Sequence, residues 1–202
     1  MPTGVAIRDV REQLFDAADR ILLRAGPSAL TSRALTAEAG CAKGVLHRHF
    51  DDFDDFLAQY VLDRVDQMAP QAAALRELAG TATVGGNLTD ALSAVFRSVA
   101  VAIVALLTFR DELRARLRQK WPAGIPVLTE AAIMIGSYLR AEQDLGRIAR
   151  GADPDTLAAV LIGSAHLLYA DRTGASPETD AVRRLVDGIL APVTAGPAGG
   201  RP

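Results

Sequence analysis

The sequence predicts an all-α protein: a small N-terminal three-helix unit containing a helix-turn-helix, followed by a larger helical body. Three observations predict it. Residues 31–57, TSRALTAEAGCAKGVLHRHFDDFDDFL, read as two short helices joined by a tight turn, with a third starting at once. After residue 50, strand-like alternation bounded by turns is absent, and Ala, Leu and Arg, all good helix formers, are abundant. Capping side chains, Gly and Pro punctuate the helical segments. Half of the 202 residues are hydrophobic, which is ample for a core.

Within 31–57, Thr31 or Ser32 can cap a helix whose apolar residues Leu35 and Ala39 fall four apart on one face. Gly40 follows, where a glycine can take the left-handed conformation that closes a helix. The second helix, about Ala42 to Phe50, carries Lys43, His47, Arg48 and His49, with only Val45, Leu46 and Phe50 to hold it down. Packing alone gives so short and basic a helix little stability. Two helices crossed over a Gly-containing turn, the second presenting basic groups, is the layout that lays a recognition helix in the DNA major groove.

Further along, Asp52 starts a helix expected to run to about Met68, stopped by Pro70, and a shorter one covers about Gln71 to Leu78. Residues 81–86 read as a loop, and Asn87, with Asp90 three residues on, opens a long apolar helix to about Leu107. Asp111 to Lys120 reads as a basic, exposed helix closed by Trp121-Pro122. Asp153-Pro154 and Ser176-Pro177 each place a capping side chain before a proline at the first helical position. The helix from Pro154 to about Ala170 is apolar almost all round and so must be covered on both sides. The last helix carries the stripe Val182, Leu185, Val186, Ile189 and Leu190. The expected domains are 1–51, 52–191 and a disordered Gly/Pro/Ala tail at 192–202.

Leu14-Phe15-Asp16-Ala17-Ala18-Asp19-Arg20-Ile21-Leu22 with Gly26, then Thr31, Leu35, Ala39-Gly40-Cys41-Ala42-Lys43-Gly44-Val45-Leu46, His49-Phe50 and Phe56-Leu57 run in one uninterrupted order. This set resembles the DNA-binding domain of the tetracycline-repressor (TetR) family of bacterial transcription factors. The resemblance covers roughly the first quarter of the chain. It departs at His47, where the family usually has a Tyr, at Phe53, where it usually has a Lys, and at Ser32, where it is usually apolar. The first two family residues tend to touch DNA phosphates; His47 can still donate a hydrogen bond to one, and Phe53 cannot. The expected DNA-contacting residues are Thr31, Ser32, Arg33, Ala42, Lys43, Gly44, Val45, His47 and Arg48. Lys43 and Gly44 stand where base edges are read, and Gly44 has no side chain to hold the backbone off DNA. The resemblance further implies a homodimer with a C-terminal ligand-binding and dimerisation domain. Such a protein represses transcription from a near-palindromic operator until a small molecule binds.

Charge agrees with a DNA partner in distribution only. The chain is net −2, but residues 1–50 hold seven Lys/Arg against five acids, and the remainder fifteen against nineteen. The single cysteine, Cys41, excludes a disulfide framework and fits a reducing cytoplasm. No basic-then-apolar leader is read at the start, and the longest apolar stretch, Val99 to Leu107, is too short to span a bilayer. A cytoplasmic protein without a membrane role is expected.

Asp51-Asp52-Phe53-Asp54-Asp55 matches the aspartate-rich pattern of all-helical isoprenoid synthases, whose carboxylates hold Mg²⁺. A second acidic cluster, which those enzymes need, is absent from the sequence, so helix capping is the preferred reading. A helical adaptor with no DNA role is the third class. His47 and His49, two apart, point in different directions on a helix, and no catalytic set, phosphate loop or zinc spacing can be assembled. No cofactor, metal or enzymatic activity is expected. Phe96, Phe109, Trp121, Met134, Tyr138 and His166 are candidates for lining a small-molecule pocket, with Tyr138, Trp121 and His166 at its polar edge, although core packing would explain each aromatic equally well. Leu157, Leu161, Val182, Leu185, Val186 and Ile189 are the candidate dimer interface, formed as a four-helix bundle by the last two helices. The helix from Asp52 follows the recognition helix without a linker and would move it as a lever.

Overall fold

The computed structural model describes residues 10–122, 124–170 and 177–194. The regular elements among these residues are eleven α-helices and two 3-10 turns, Pro27–Ala29 and Lys43–Val45, with an isolated antiparallel bridge between Ile148 and Thr194. The chain divides into two compact units, Met1–Leu62 with Ala102–Ala123, and Asp63–Val101 with Gly124–Pro202. The first unit thus takes in a segment far along the chain, which the expected boundary at residue 51 did not include.

The first unit begins with α1 (Val10–Ala25), whose Leu14, Ala17, Ala18, Ile21 and Leu22 form a buried stripe at helical spacing. Next comes α2 (Ser32–Glu38), capped by the Thr31 hydroxyl, which accepts a hydrogen bond from Ala34 N at 3.1 Å. Gly40 closes it with φ +66°, the left-handed conformation expected of it. A 3-10 turn at Lys43–Val45 leads into α3 (Leu46–His49). α4 (Phe53–Asp66) follows, its start fixed by Asp52, whose Oδ1 accepts from Asp55 N at 2.7 Å. Later segments complete the unit: α7 (Ala100–Thr108) from Ala102 on, and α8 (Asp111–Leu117), anchored by the buried Leu113 and Leu117.

The second unit is built from α5 (Met68–Glu77), α6 (Val84–Arg97), α9 (Pro126–Asp144), α10 (Pro154–Tyr169) and α11 (Thr179–Leu190). α9 packs against α5 and α10, and α11 against α6. Gly136 lets α9 and α10 approach: a Cβ there would stand 2.9 Å from Asp155 Oδ1 and 3.7 Å from Ala158 Cβ. Asp153 caps α10 as expected, accepting from Asp155 N at 3.1 Å ahead of Pro154.

Several expected boundaries move. Pro70 does not stop α4, which ends at Asp66; it sits in the first turn of α5, where its missing N–H costs nothing. α6 starts at Val84, capped by the Thr83 hydroxyl at 3.0 Å from Gly86 N, so Asn87 is an interior residue rather than a cap. The long apolar helix expected up to Leu107 is two helices, interrupted at Ser98, whose backbone is extended. The last helix begins at Thr179, so Pro177 precedes it, and Ser176 lies outside the described residues. The expected tail is ordered at its start, where Ala149 N donates to Val193 O at 2.8 Å; residues 195–202 lie outside the described residues. The longest helix, α9, has no counterpart among the punctuated starts read from the sequence.

Candidate nucleic-acid interface

The helix expected over Ala42 to Phe50 is a 3-10 turn at Lys43–Val45 followed by the four-residue α3, a short basic segment held by two side chains. Leu46 and Phe50 are buried, and full burial of such residues contributes about 1.5–3 kcal/mol each. Phe50 enters a ring cluster with Phe15 at 6.1 Å and Phe56 at 5.1 Å, the latter edge-on. Phe15 and Phe56 both meet Tyr60, whose hydroxyl donates to Asp19 at 2.6 Å. Arg11 reaches across from α1, its guanidinium 4.7 Å from the Phe50 ring centre and donating to His49 O at 3.2 Å. That donor satisfies a carbonyl left open at the end of the helix. Stability thus comes from the neighbouring helices, which frees the outer face for another use.

The outer face carries His47, Arg48 and His49, all exposed. Ala42 and Gly44 are exposed and Val45 is half-buried. A Cβ on Gly44 would meet nothing within 4 Å, so nothing in the protomer itself requires glycine there. Lys43 stands in the 3-10 turn that opens the segment, and its side chain lies outside the described residues. Ser32 and Arg33 are exposed in the first turn of α2, beside the capping Thr31. α2 itself is clamped to α1. Glu38 accepts from Arg20 Nε and from an Arg24 terminal nitrogen, both at 2.8 Å, and Gln13 Nε2 donates to Ala39 O at 2.7 Å. Arg24, then Arg20, hold the Glu38 carboxyl below its usual value.

Residues 14–60 match the sequence model for bacterial regulatory proteins of the tetR family. The N-terminal domain is a TetR-family domain. Solved structures extend the likeness of the fold over nearly the whole chain. A TetR-family transcriptional regulator from Agrobacterium tumefaciens superposes with TM-score 0.69 at 12% identity, covering 92% of this chain and 98% of its own. A TetR transcription regulator from Haloarcula marismortui gives 0.68 at 16%, covering 93% and 99%. The transcriptional regulator FadR from Bacillus subtilis, in complex with stearoyl-CoA, gives 0.64 at 17%, covering 89% and 97%. No curated protein matches. The chain has the TetR-family regulator fold, and nothing in these comparisons supports the isoprenoid-enzyme reading. The aspartates that suggested it serve the TetR-type domain locally: Asp52 caps α4, and Asp52 and Asp54 hold Arg116 and Arg110.

The six candidate pocket residues are divided between the two units, Phe109 and Trp121 in the first and the other four in the second. Phe109 is 86% exposed and Trp121 is half-buried, both in the first unit. Phe109 therefore does not line an enclosed pocket in the protomer; its helix ends one residue earlier, and the ring leaves the core with the turn. Met134 and Tyr138 are buried on α9. The Tyr138 hydroxyl accepts from Asn87 Nδ2 at 3.0 Å and donates to the buried Glu142 at 2.5 Å. Burial, then the Glu142 carboxylate, pushes the phenol well above its usual range, so it stays a donor. Glu142 also meets Gly80 N and Arg147, each at 3.3 Å. This network ties α9 to the loop before α6, and all three polar groups have partners within the protein.

Phe96 and His166 do meet, with ring centres 6.1 Å apart, and Tyr169 stacks on Phe96 at 5.5 Å. His166 Nδ1 is buried without a hydrogen-bond partner within the protein.

The candidate dimer residues divide as well. Leu161, Val182 and Val186 are wholly buried in the protomer's own core, so they are not available to a partner. The α11 stripe is spent on α6 and α10. Leu157, Leu185 and Ile189 are half-buried. The uncovered apolar surface lies on the other side of α10, where Ala159, Val160, Gly163 and Leu167 are exposed, Val160 by 45% and Leu167 by 77%. A wheel drawn for α10 separates these four from Ala158, Leu161, Ile162 and Ala165, so the signal was present in the sequence.

Proposed function

We propose that this protein is a DNA-binding transcriptional regulator that reads its operator with the segment Ala42–Phe50 as a homodimer. The observation that carries this is the recognition helix: anchored by Leu46 and Phe50, it spends His47, Arg48 and His49 on solvent, within a TetR-family domain. Exposed basic side chains fix register through phosphates. On this reading Lys43 and Gly44, at the opening of the segment, are the residues that meet base edges. A two-fold dimer through the exposed α10 face would place two such helices about 34–36 Å apart on a near-palindromic site. The reading places the protein in the cytoplasm with its DNA.

We further propose that a small, mostly apolar molecule binds the second unit and releases the operator. Phe96, Tyr169 and the unpaired His166 nitrogen support it, offering ring surface and one hydrogen-bonding group. FadR, of similar fold, is a regulator in complex with stearoyl-CoA. α4 starts in the first unit and ends in the second without a break, so it is a covalent route for such a signal.

The test is selection of duplexes from a random-sequence pool, followed by titration. Lys43→Ala is expected to weaken binding to the selected duplex by roughly 1–3 kcal/mol if it reads a base. Gly44→Glu, which sets bulk and negative charge against the duplex, is expected to cost more. Unchanged affinity in both variants would remove the assignment.

A further inference from the structure

On the DNA-binding reading, the chain carries an electrostatic conflict. Asp51, Asp52, Asp54 and Asp55 follow directly on the basic recognition helix. Arg48 and Asp52 are four residues apart, which bounds their separation at about 15 Å. That backbone bound is nearly twice the Debye length of about 8 Å near physiological salt, so repulsion between unmasked carboxylates and the phosphates that Arg48 and His47 must approach is weakened by salt but not abolished.

Two of the four carboxylates are met by arginines from a segment more than fifty residues away. Arg110 donates to Asp54 Oδ1 at 3.1 Å, and Arg116 donates to Asp52 Oδ2 at 2.5 Å. Arg110 also lies over the Phe53 ring, 5.5 Å from its centre, and Phe53 stacks on Phe56 at 5.8 Å. A third carboxylate, Asp55, is occupied by Gln59 Nε2 at 2.9 Å and by Asp51 N at 3.1 Å. Leu113 and Leu117, buried at helical positions next to Arg110 and Arg116, hold that side of α8 in the core of the unit. Both arginines lie in the same compact unit as the recognition helix.

We propose that Arg110 and Arg116 are positioning residues of the DNA-binding surface: they neutralise Asp54 and Asp52 at the start of α4 and hold that start against α8. Neither touches DNA in this account. α8 is then a working part of the DNA-reading unit, although the sequence places it in the body.

The experiment uses the full chain and a duplex selected by the wild type from a random pool. Arg116→Ala should bind that duplex roughly 3- to 10-fold more weakly, the size expected for one unmasked charge acting on several screened phosphates. The unfolding midpoint should stay close to that of the wild type, because a solvated ion pair contributes little. Because the repulsion is screened, the defect should shrink as salt rises and flatten the slope of affinity against salt by clearly less than one, whereas loss of a direct phosphate contact would lower it by about one. Arg116→Lys should restore most of the affinity. Asp52→Asn keeps the oxygen that caps α4 and removes the charge, so adding Arg116→Ala to it should cost less than about 2-fold. Equal affinity for Arg116→Ala and wild type, an equal loss in both backgrounds, or a salt slope lower by one would each overturn the proposal. A wild type that selects no duplex would instead remove the DNA-binding reading on which it rests.

Discussion

The recognition helix and α10 solve opposite problems. α3 has four residues, Leu46 to His49, and the segment it closes is pinned by two apolar side chains and by Arg11 at its end. α10 has sixteen residues, five of them buried, and needs no help to stay in place. What each leaves in solvent differs accordingly. The short helix exposes His47, Arg48 and His49, and the long one exposes Ala159, Val160, Gly163 and Leu167. On the proposed reading the two surfaces serve different partners: the imidazole and guanidinium groups a phosphate backbone, and Val160 and Leu167 a second copy of the same apolar face.

The largest effect is expected from making α10 resemble the recognition helix in polarity. Leu167→Asp places a charge on the exposed face, with Leu161, Ala165 and the rest of the core untouched. Light scattering should show the wild type as a dimer and the variant as a monomer with an unaltered unfolding midpoint. Operator affinity should fall at least about a hundredfold, since the second recognition helix no longer benefits from linkage to the first. A variant that stays dimeric would move the interface elsewhere. The half-buried Leu157, Leu185 and Ile189 would be the next residues to change.

A second comparison concerns Tyr138 and His166, both candidates for the polar edge of a pocket. The structure gives them different situations: the Tyr138 hydroxyl has Asn87 and Glu142, and His166 Nδ1 has no partner within the protein. Tyr138→Phe should therefore act on stability, by about 1–3 kcal/mol, because it leaves a buried carboxylate and amide short of a partner. His166→Phe should leave stability nearly unchanged and alter the response to an effector. Denaturant unfolding of the two variants tests this directly; a neutral Tyr138→Phe would show that the network adds nothing.

These pairs also show where sequence reading succeeds. The N-terminal unit was legible because its signals are local: Thr31 caps, Gly40 turns, and Leu46 and Phe50 anchor within one short stretch. The body was legible as helices, but not as neighbours. Val182 and Val186 form a clear stripe, yet a stripe states only that a face is covered, not whether α6 or another protomer covers it. Asn87 read as a cap because its side chain suits one; its actual partners, including Tyr138 fifty-one residues on, depend on tertiary structure. Arg116, on the segment read as a basic, exposed helix, hid its pairing with Asp52 for the same reason.

The smallest expected effect separates a tertiary contact from a local one in acid. Glu38 and Asp153 both hold their protons less tightly in the fold than in the unfolded chain, each carboxyl lying below its ordinary value of 4.5 or 3.8. For Glu38 the cause is first Arg24 and then Arg20, which join α2 to α1. For Asp153 it is first the Thr156 hydroxyl and then Asp155 N, within the first turn of α10. A depressed carboxyl stabilises the fold fully above the unfolded value, and the contribution is lost as the pH falls through the folded one. Glu38→Gln and Asp153→Ala should accordingly differ from the wild type near pH 7, and the differences should shrink as the pH falls below the ordinary values of 4.5 and 3.8. Salt should distinguish them. The Glu38 clamp is an ion pair open to solvent, so added salt at neutral pH should shrink its effect on the unfolding midpoint. The Asp153 cap relies on a hydroxyl and a backbone N–H, so its effect should persist. If both variants lose their difference equally in salt, the Asp153 contribution comes from the nearby Arg140 charge rather than from capping.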